Sequence, residues 1–269
     1  MAEPLYRQIA DDLHKKIESG QLRPGSQLPT ELELREQYGN ASRNTIRDAV
    51  KWLTTRGLVI TQAGRGTFVV EKITPFIVPL NPSEAGVGTD SGKAYKAVVI
   101  QQGGEPSLGP PRVEVQQARK EVARELQIGM GDSVVSRHQE RFIQGRPSSL
   151  QTSFYPMQFV LAGAADLLQA ADIETGATAY VEEKLDIRQA GYRDRLTVRP
   201  PNAGEVGFFK VPDDGSVLMV VVHRTAYSEG RKPIRYTATV YPADRNHFVI
   251  DFGEVPPLEN LINDIIGDV

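Results

Sequence analysis

The chain has no cysteine. That absence excludes a disulfide scaffold, a thiolate metal site, an iron–sulfur cluster and a cysteine nucleophile together. Long apolar runs are also missing. Stretches such as Val217–Val222 fall far short of the about 20 residues a bilayer span needs. The N-terminus, MAEPLYRQIADDL, has no basic patch followed by an apolar segment. No signal peptide is read there, and the cytoplasm is the expected address. A strong positive charge is absent too: the net value is −3, which argues against bulk coating of nucleic acid. His14, His138, His223 and His247 show no pairing at i+3 or i+4, so neither a metal nor a cofactor is expected. No Gly-x-Ser-x-Gly elbow occurs. Glu182-Glu183 and Asp213-Asp214 are adjacent pairs whose side chains diverge on a helix or strand. Nothing here proposes a catalytic constellation.

What is present is ordinary in amount. The 269 residues fit one or two domains of about 150, and 40% apolar with 24% charged residues is globular usage. The charge is unevenly placed. Residues 1–70 hold ten Lys/Arg against eight Asp/Glu, and residues 71–269 hold 21 against 26. From Asn40 to Arg65, Arg43, Arg47, Lys51, Arg56 and Arg65 face only Asp48. A local basic patch on an acidic chain fits a small DNA reader joined to something else.

The first 70 residues read as helix, helix, helix, hairpin. Leu5, Ile9, Leu13 and Ile17 form one helical stripe, with Gly20 as its stop. Thr30-Glu31-Leu32-Glu33 is a capping box opening a short helix that ends at Gly39. Ser42 caps a third helix with Ile46, Ala49, Val50 and Leu53 on its core face. Two strand-like runs then flank Gly64-Arg65-Gly66. On the third helix, Asn44, Arg47 and Lys51 lie opposite the core face, with Arg43 at the border. A recognition helix offers its N-terminal residues to base edges in the major groove, and an arginine there can grip guanine O6 and N7. Ser42 and Thr45 suit phosphate contacts. Arg65 between two glycines suits a minor groove or a phosphate.

Residues 73–93, rich in Pro, Gly and Ser, read as a linker. Gly86 to Lys93 has phosphate-loop composition but the wrong spacing: position 87 is Val and position 94 is Ala. Beyond it, 98–100, 113–115, 133–142, 150–155, 196–198, 217–223 and 233–241 read as strands. Residues 118–126, 159–169 and 175–185 read as helices. The expected class is α+β on a mostly antiparallel sheet.

The blocks Pro4-Leu5-Tyr6, Gly20-Gln21-Leu22, Pro24-Gly25, Leu28-Pro29, Glu31, Glu33-Leu34, Ser42-Arg43, Thr45-Ile46-Arg47 and Gly64-x-Gly66-Thr67-Phe68-Val69 follow in order. Through them residues 4–70 resemble the winged helix-turn-helix domain of GntR-family bacterial transcription regulators. The likeness implies dimers on inverted repeats, with contact roles for Ser42, Arg43, Thr45, Arg47 and Gly64. Leu32 stands where the family carries an arginine, and the turn Gly39–Ser42 is one residue longer. Further on stand Arg137, Arg141-Phe142-Ile143, Gly145-Arg146-Pro147, Thr152-Ser153-Phe154-Tyr155-Pro156, His223-Arg224, Tyr227, Tyr241 and Asp244-Arg245. Through them residues from about 94 to 255 resemble the UTRA effector domain of the HutC subfamily, a chorismate-lyase-like fold. That likeness implies a small metabolite held by Arg137, Arg141, Gln151, Ser153, Thr237 and Tyr241. Gln139, Gln151 and Arg235 depart from the sugar-phosphate pattern. The expected organisation is therefore a DNA-binding domain at 1–72, the linker, and an effector-binding and dimerisation domain at 94–269. The expected function is a ligand-responsive repressor acting as a homodimer on DNA, with no membrane partner. Two rival readings stay open, a DNA-binding dimer that senses nothing and an enzyme on the lyase-like fold.

Overall fold

A computed structural model describes residues 4–62, 64–70, 75–80, 92–258 and 260–262. The chain divides into two compact units, Met1–Ile73 and Thr74–Val269.

The first unit follows its local signals. Helix α1 spans Leu5–Glu18, α2 Glu31–Gln37 and α3 Arg43–Thr55. Thr30 Oγ1 accepts the Glu33 N–H at 3.3 Å, and the Glu33 carboxylate accepts the Thr30 N–H at 2.7 Å. Ser42 Oγ caps α3 by accepting the Thr45 N–H at 3.1 Å. Ile9 and Leu13 of α1 are buried with Ile46, Ala49 and Leu53 of α3, while Leu5 is exposed. Each large aliphatic side chain so buried contributes about 1.5–3 kcal/mol. Between α2 and α3, Gly39 and Asn40 both take left-handed φ, +66° and +58°.

Strands β1 (Val59–Gln62) and β2 (Gly66–Val69) form the hairpin. Gln27 holds its tip: its Nε2 donates to the Arg65 carbonyl at 3.0 Å. Gly66 makes room for this. Its φ is +114°, and a Cβ there would stand 2.3 Å from Gln27 Nε2. Gly66→Ala should cost about 1–2 kcal/mol from the backbone conformation alone, before Gln27 is displaced. A melting temperature equal to wild type would show that the tip relaxes without strain.

The second unit opens with β3 (Phe76–Pro79), then α4 (Gly92–Gln101), β4 (Pro106–Leu108), β5 (Arg112–Gln117), α5 (Lys120–Leu126), β6 (Ser133–Ile143) and β7 (Arg146–Pro156). There follow α6 (Met157–Leu161), α7 (Ala177–Leu185), β8 (Gln189–Arg199), α8 (Ala203–Phe209), β9 (Met219–Ser228), β10 (Pro233–Pro242) and β11 (Asn246–Val249). Seven strands make one antiparallel sheet in the order β4-β6-β7-β10-β9-β8, with β5 also on β6. β3 and β11 pair separately and in parallel.

Several expectations change here. Val98-Val99-Ile100 lies in helix α4, not in a strand. Its β-branched residues favour strands, but Tyr95 and Val99, one helical turn apart, are both buried, and this packing decides. The helix expected over 159–169 stops at Leu161; Gly163, at φ +124°, breaks it, and a 3-10 turn at Ala165–Leu168 follows. Strand β8 is 11 residues long rather than the expected three, because β9 pairs with it from end to end, while the consecutive Arg193-Asp194-Arg195 hides any apolar alternation. Helix α8 and strands β4 and β11 were not expected.

The linker expectation over 73–93 meets structure as well. Phe76–Pro79 is a strand and Gly92 opens a helix, while 73–74 and 81–91, with most of the Gly86–Lys93 stretch, lie outside the described residues. The Gln102 side chain brackets β3, accepting the Ile77 N–H at 2.9 Å and donating to the Ile77 carbonyl at 2.8 Å. The Leu80 carbonyl accepts from Tyr192 Oη at 2.8 Å and from Arg224 Nη2 at 2.7 Å.

Facing partners in a sheet share a face. One row therefore crosses five strands: Arg137, Ser153, Thr237, Arg224 and Asp194. The adjoining row is Gln139, Gln151, Thr239, Val222 and Leu196. This face is polar yet largely covered. The opposite face carries Val134, Phe154, Tyr236 and Ala238 against Val122, Ala123 and Leu126 of α5.

Candidate DNA interface and effector cavity

On α3 the side chains of Arg43, Asn44, Arg47 and Lys51 are exposed, opposite the buried Ile46, Ala49 and Leu53. Ser42 is exposed at the cap, and its Oγ lies 2.8 Å from Thr45 Oγ1. Both hydroxyls thus serve the helix start, where the backbone N–H groups carry a partial positive charge suited to phosphate. Arg43 Nε donates to Glu31 Oε1 at 2.6 Å. Gly64 and Arg65 are exposed on the hairpin, and Gly66 is half-buried beneath Gln27. The expected DNA residues therefore fall on two exposed places within one unit, the outer face of α3 and the hairpin tip. Arg56, counted in the basic patch, instead stacks 3.6 Å over the ring of Trp52.

The second unit contains a cavity of about 510 Å³. Its floor is the polar sheet face, where Arg137 and Gln139 stand on β6 and Gln151, Ser153 and Tyr155 on β7. One wall is α4, which turns Lys93, Lys96, Ala97 and Ile100 toward it, the i, i+3, i+4, i+7 face of a helix. Another comes from residues 172–177, including Asp172 and Glu174.

The floor is already partly organised. Arg137 Nη1 donates to the Leu167 and Gln169 carbonyls at 2.9 and 2.8 Å, and Nη2 to the Ala171 carbonyl at 2.7 Å. It thereby ties the 166–171 loop over the sheet. Burial lowers the Arg137 pKa below the usual guanidinium value, while Tyr155 and Asp172 act in the opposite sense. Gln139 Nε2 donates to Asp172 Oδ1 at 2.9 Å. Ser153 Oγ and Thr237 Oγ1 are 3.0 Å apart.

Of the six effector residues expected from the sequence, Arg137, Gln151 and Ser153 line this cavity. Thr237 does not; it is fully buried one layer behind, against Ser153. Arg141 does not line it either. It is buried with its guanidinium 4.8 Å from the Tyr95 ring centre. Burial is the largest influence on Tyr95 and raises its pKa. Tyr241 packs instead with Val78, Leu80, Val222 and Phe248. All six share one sheet face, so strand alternation selects them, but alternation carries no information about depth. Lys93, Lys96, Asp172 and Glu174 were missed. The α4 spacing was the available signal for the lysines, and the strand reading of 98–100 hid it.

Among the described residues, no group of three or more His, Asp or Glu could hold a metal ion, and no helix is long and apolar enough to cross a membrane. Comparison with known families identifies both units. Residues 5–69 match the bacterial regulatory proteins of the gntR family, and residues 101–247 match the UTRA domain. The chain is a GntR-family transcription regulator of the HutC subfamily. As such the regulator is a DNA-binding protein with an effector domain, not an enzyme. It is 26% identical over 246 residues to the HTH-type transcriptional repressor NagR of Bacillus subtilis (strain 168), covering 91% of this chain and 93% of NagR. The mannosyl-D-glycerate transport/metabolism system repressor MngR of Escherichia coli (strain K12) is 30% identical over 156 residues, 58% of this chain and 60% of MngR. A solved GntR-family transcriptional regulator superposes with a TM-score of 0.61 at 25% identity, covering 94% of the regulator and 99% of that chain. The fold is the winged helix-turn-helix followed by the α+β, chorismate-lyase-like UTRA domain.

Proposed function

We propose that this regulator is a cytoplasmic repressor that binds an inverted-repeat operator as a homodimer and is modulated by a small metabolite. Residues 1–72 read DNA, and residues 94–269, together with β3, bind effector and dimerise. Ser42, Arg43, Asn44, Thr45 and Arg47 meet the major groove and its phosphates. Gly64, Arg65 and Gly66 approach the backbone or minor groove. The effector occupies the cavity floored by Arg137, Gln151 and Ser153. The names of NagR and MngR as repressors support the sign of regulation.

The observation that carries the sensing role is α4. One face of it lines the cavity, and Gln102, just past its end, brackets Ile77 of β3. β3 starts seven residues after the hairpin ends at Val69. A ligand that prefers one placement of α4 therefore acts on the chain leading to the DNA reader. It shifts the DNA-binding equilibrium only by its differential affinity for the two states.

The test is a thermal-shift screen of the full chain against sugar phosphates, amino acids, organic acids and acyl compounds. A ligand at a hundred times its Kd adds about 2.7 kcal/mol. The expected result is a hit that Ser153→Trp abolishes and that releases the wild-type chain from DNA. A hit that leaves DNA binding unchanged would refute the sensing role. No hit across the panel favours the dimer that senses nothing.

The hairpin contact has its own test. Arg65→Ala should weaken DNA binding modestly, and the loss should shrink as salt is raised, since a phosphate contact releases counterions. A loss independent of salt would place Arg65 against bases instead.

A further inference from the structure

Glu31 opens α2 and reaches across to α3. Its Oε1 is 2.6 Å from Nε of Arg43, and its Oε2 is 3.6 Å from Nε of Arg47. The two arginine side chains are 75% and 73% exposed, while Glu31 is 34% exposed. Arg43 and Arg47 are four residues apart on one helix, a spacing at which like charges repel. One carboxylate set between them offsets part of that repulsion and restrains both side chains before any DNA arrives. Each closest approach is through Nε, not through the Nη1–Nη2 edge that a guanidinium can present to guanine O6 and N7. Leu32, the next residue, is 61% exposed and brings no compensating charge.

We propose that Glu31 is a specificity-determining positioning residue of the DNA interface. It acts through Arg43 and Arg47 in two ways. It holds their guanidinium groups in a narrow range of orientations, so that fewer base arrangements satisfy them. Its carboxylate also offsets part of the charge of these two arginines, which weakens their hold on any phosphate backbone. At a correct site the arginines leave Glu31 for base edges, whereas on random DNA they stay paired with it, so both effects widen the gap between the two. The inference rests on α3 being the reading helix.

The experiment selects duplexes from a random pool with the full-length wild-type chain and, separately, with Glu31→Gln. Affinities for the enriched duplex and for a scrambled one are then measured at several salt concentrations. Glu31→Gln should bind scrambled DNA about three- to fivefold more tightly, on the scale of an exposed ion pair, and enrich a more degenerate motif. The gain should fade at high salt. The same change made in an Arg43→Gln/Arg47→Gln background should have no effect on the ratio of the two affinities. An unchanged motif and ratio in Glu31→Gln overturns the proposal. An effect that persists without the two arginines also overturns it, because Glu31 would then be touching bases itself, for instance cytosine N4. A merely structural role would lower the melting temperature and weaken both duplexes alike, which again overturns it. If the wild-type chain enriches no motif, the assignment of α3 falls together with this one.

Discussion

Replacing Arg47 with alanine is expected to weaken binding to a selected operator by about 1–3 kcal/mol, roughly five- to 150-fold. The loss should be concentrated at one base pair, where the variant tolerates any base. The reason lies in position. Arg47 projects from the exposed face of α3, 73% exposed, with its Nε 3.6 Å from Glu31 Oε2. Little restructuring is needed for its guanidinium to meet a guanine edge. Its removal leaves the buried side of α3 untouched, since Ile46, Ala49 and Leu53 carry the packing. The melting temperature should therefore stay within the range of surface substitutions. Footprinting and titration against single-base variants of the operator provide the readout. Operator affinity equal to wild type would remove α3 from the interface.

The second large effect is on stability. Asp194→Ala should cost about 3–5 kcal/mol in the second unit, the usual scale for breaking a buried ion pair by deleting one partner. Asp194 grips Arg224 with both oxygens, at 2.7 Å to Nε and 2.6 Å to Nη2, and the two side chains are only 12% and 3% exposed. The guanidinium lies 3.9 Å from the Tyr192 ring centre, and its Nη2 also holds the Leu80 carbonyl. Without the carboxylate, a desolvated cation remains. Calorimetry of the full chain reads the loss. The double variant Asp194→Leu/Arg224→Met should recover much of it, because replacing both partners with apolar groups of similar size is often close to neutral. A loss below about 1 kcal/mol for Asp194→Ala would mean that water reaches Arg224 after the deletion.

The sequence disclosed the first unit almost fully and the second only in part, and the difference is one of range. Thr30, Glu33, Ser42 and the α1 stripe act within a turn or two of helix, so the pattern that reveals them is contiguous. The long strands of the sheet were legible for the same reason, through alternation. What was hidden depends on partners far away. Pro75 and Pro79 make residues 75–80 look like a spacer, yet β3 exists because β11 lies beside it in parallel, with Phe76 facing Asn246. Val98 to Ile100 has the composition of a strand, and the burial of Tyr95 and Val99 makes it a helix. At the cavity, the face of each residue could be read, but not the layer in which it sits. Arg141, Thr237 and Tyr241 have the right face and lie beyond the cavity lining. Glu31 was visible as a capping-box member and helix opener; its reach to Arg43 and Arg47 depends on the angle of the turn between α2 and α3.

The parallel pairing of β3 with β11 also bears on how the chain is made. Residues 5–70 close on themselves through local contacts and can fold as soon as they leave the ribosome, N-terminal part first. Strand β3 follows at once, but its partner ends at Val249, so every element from α4 to β10 must be synthesised before Phe76–Pro79 has its neighbour. Through that interval a nascent regulator is a folded DNA reader trailing an unpaired apolar strand. A chain truncated at residue 245 should be cut by protease within 76–80 while residues 5–70 resist. Equal resistance at both places would mean that Gln102, Tyr192 and Arg224 hold β3 without β11.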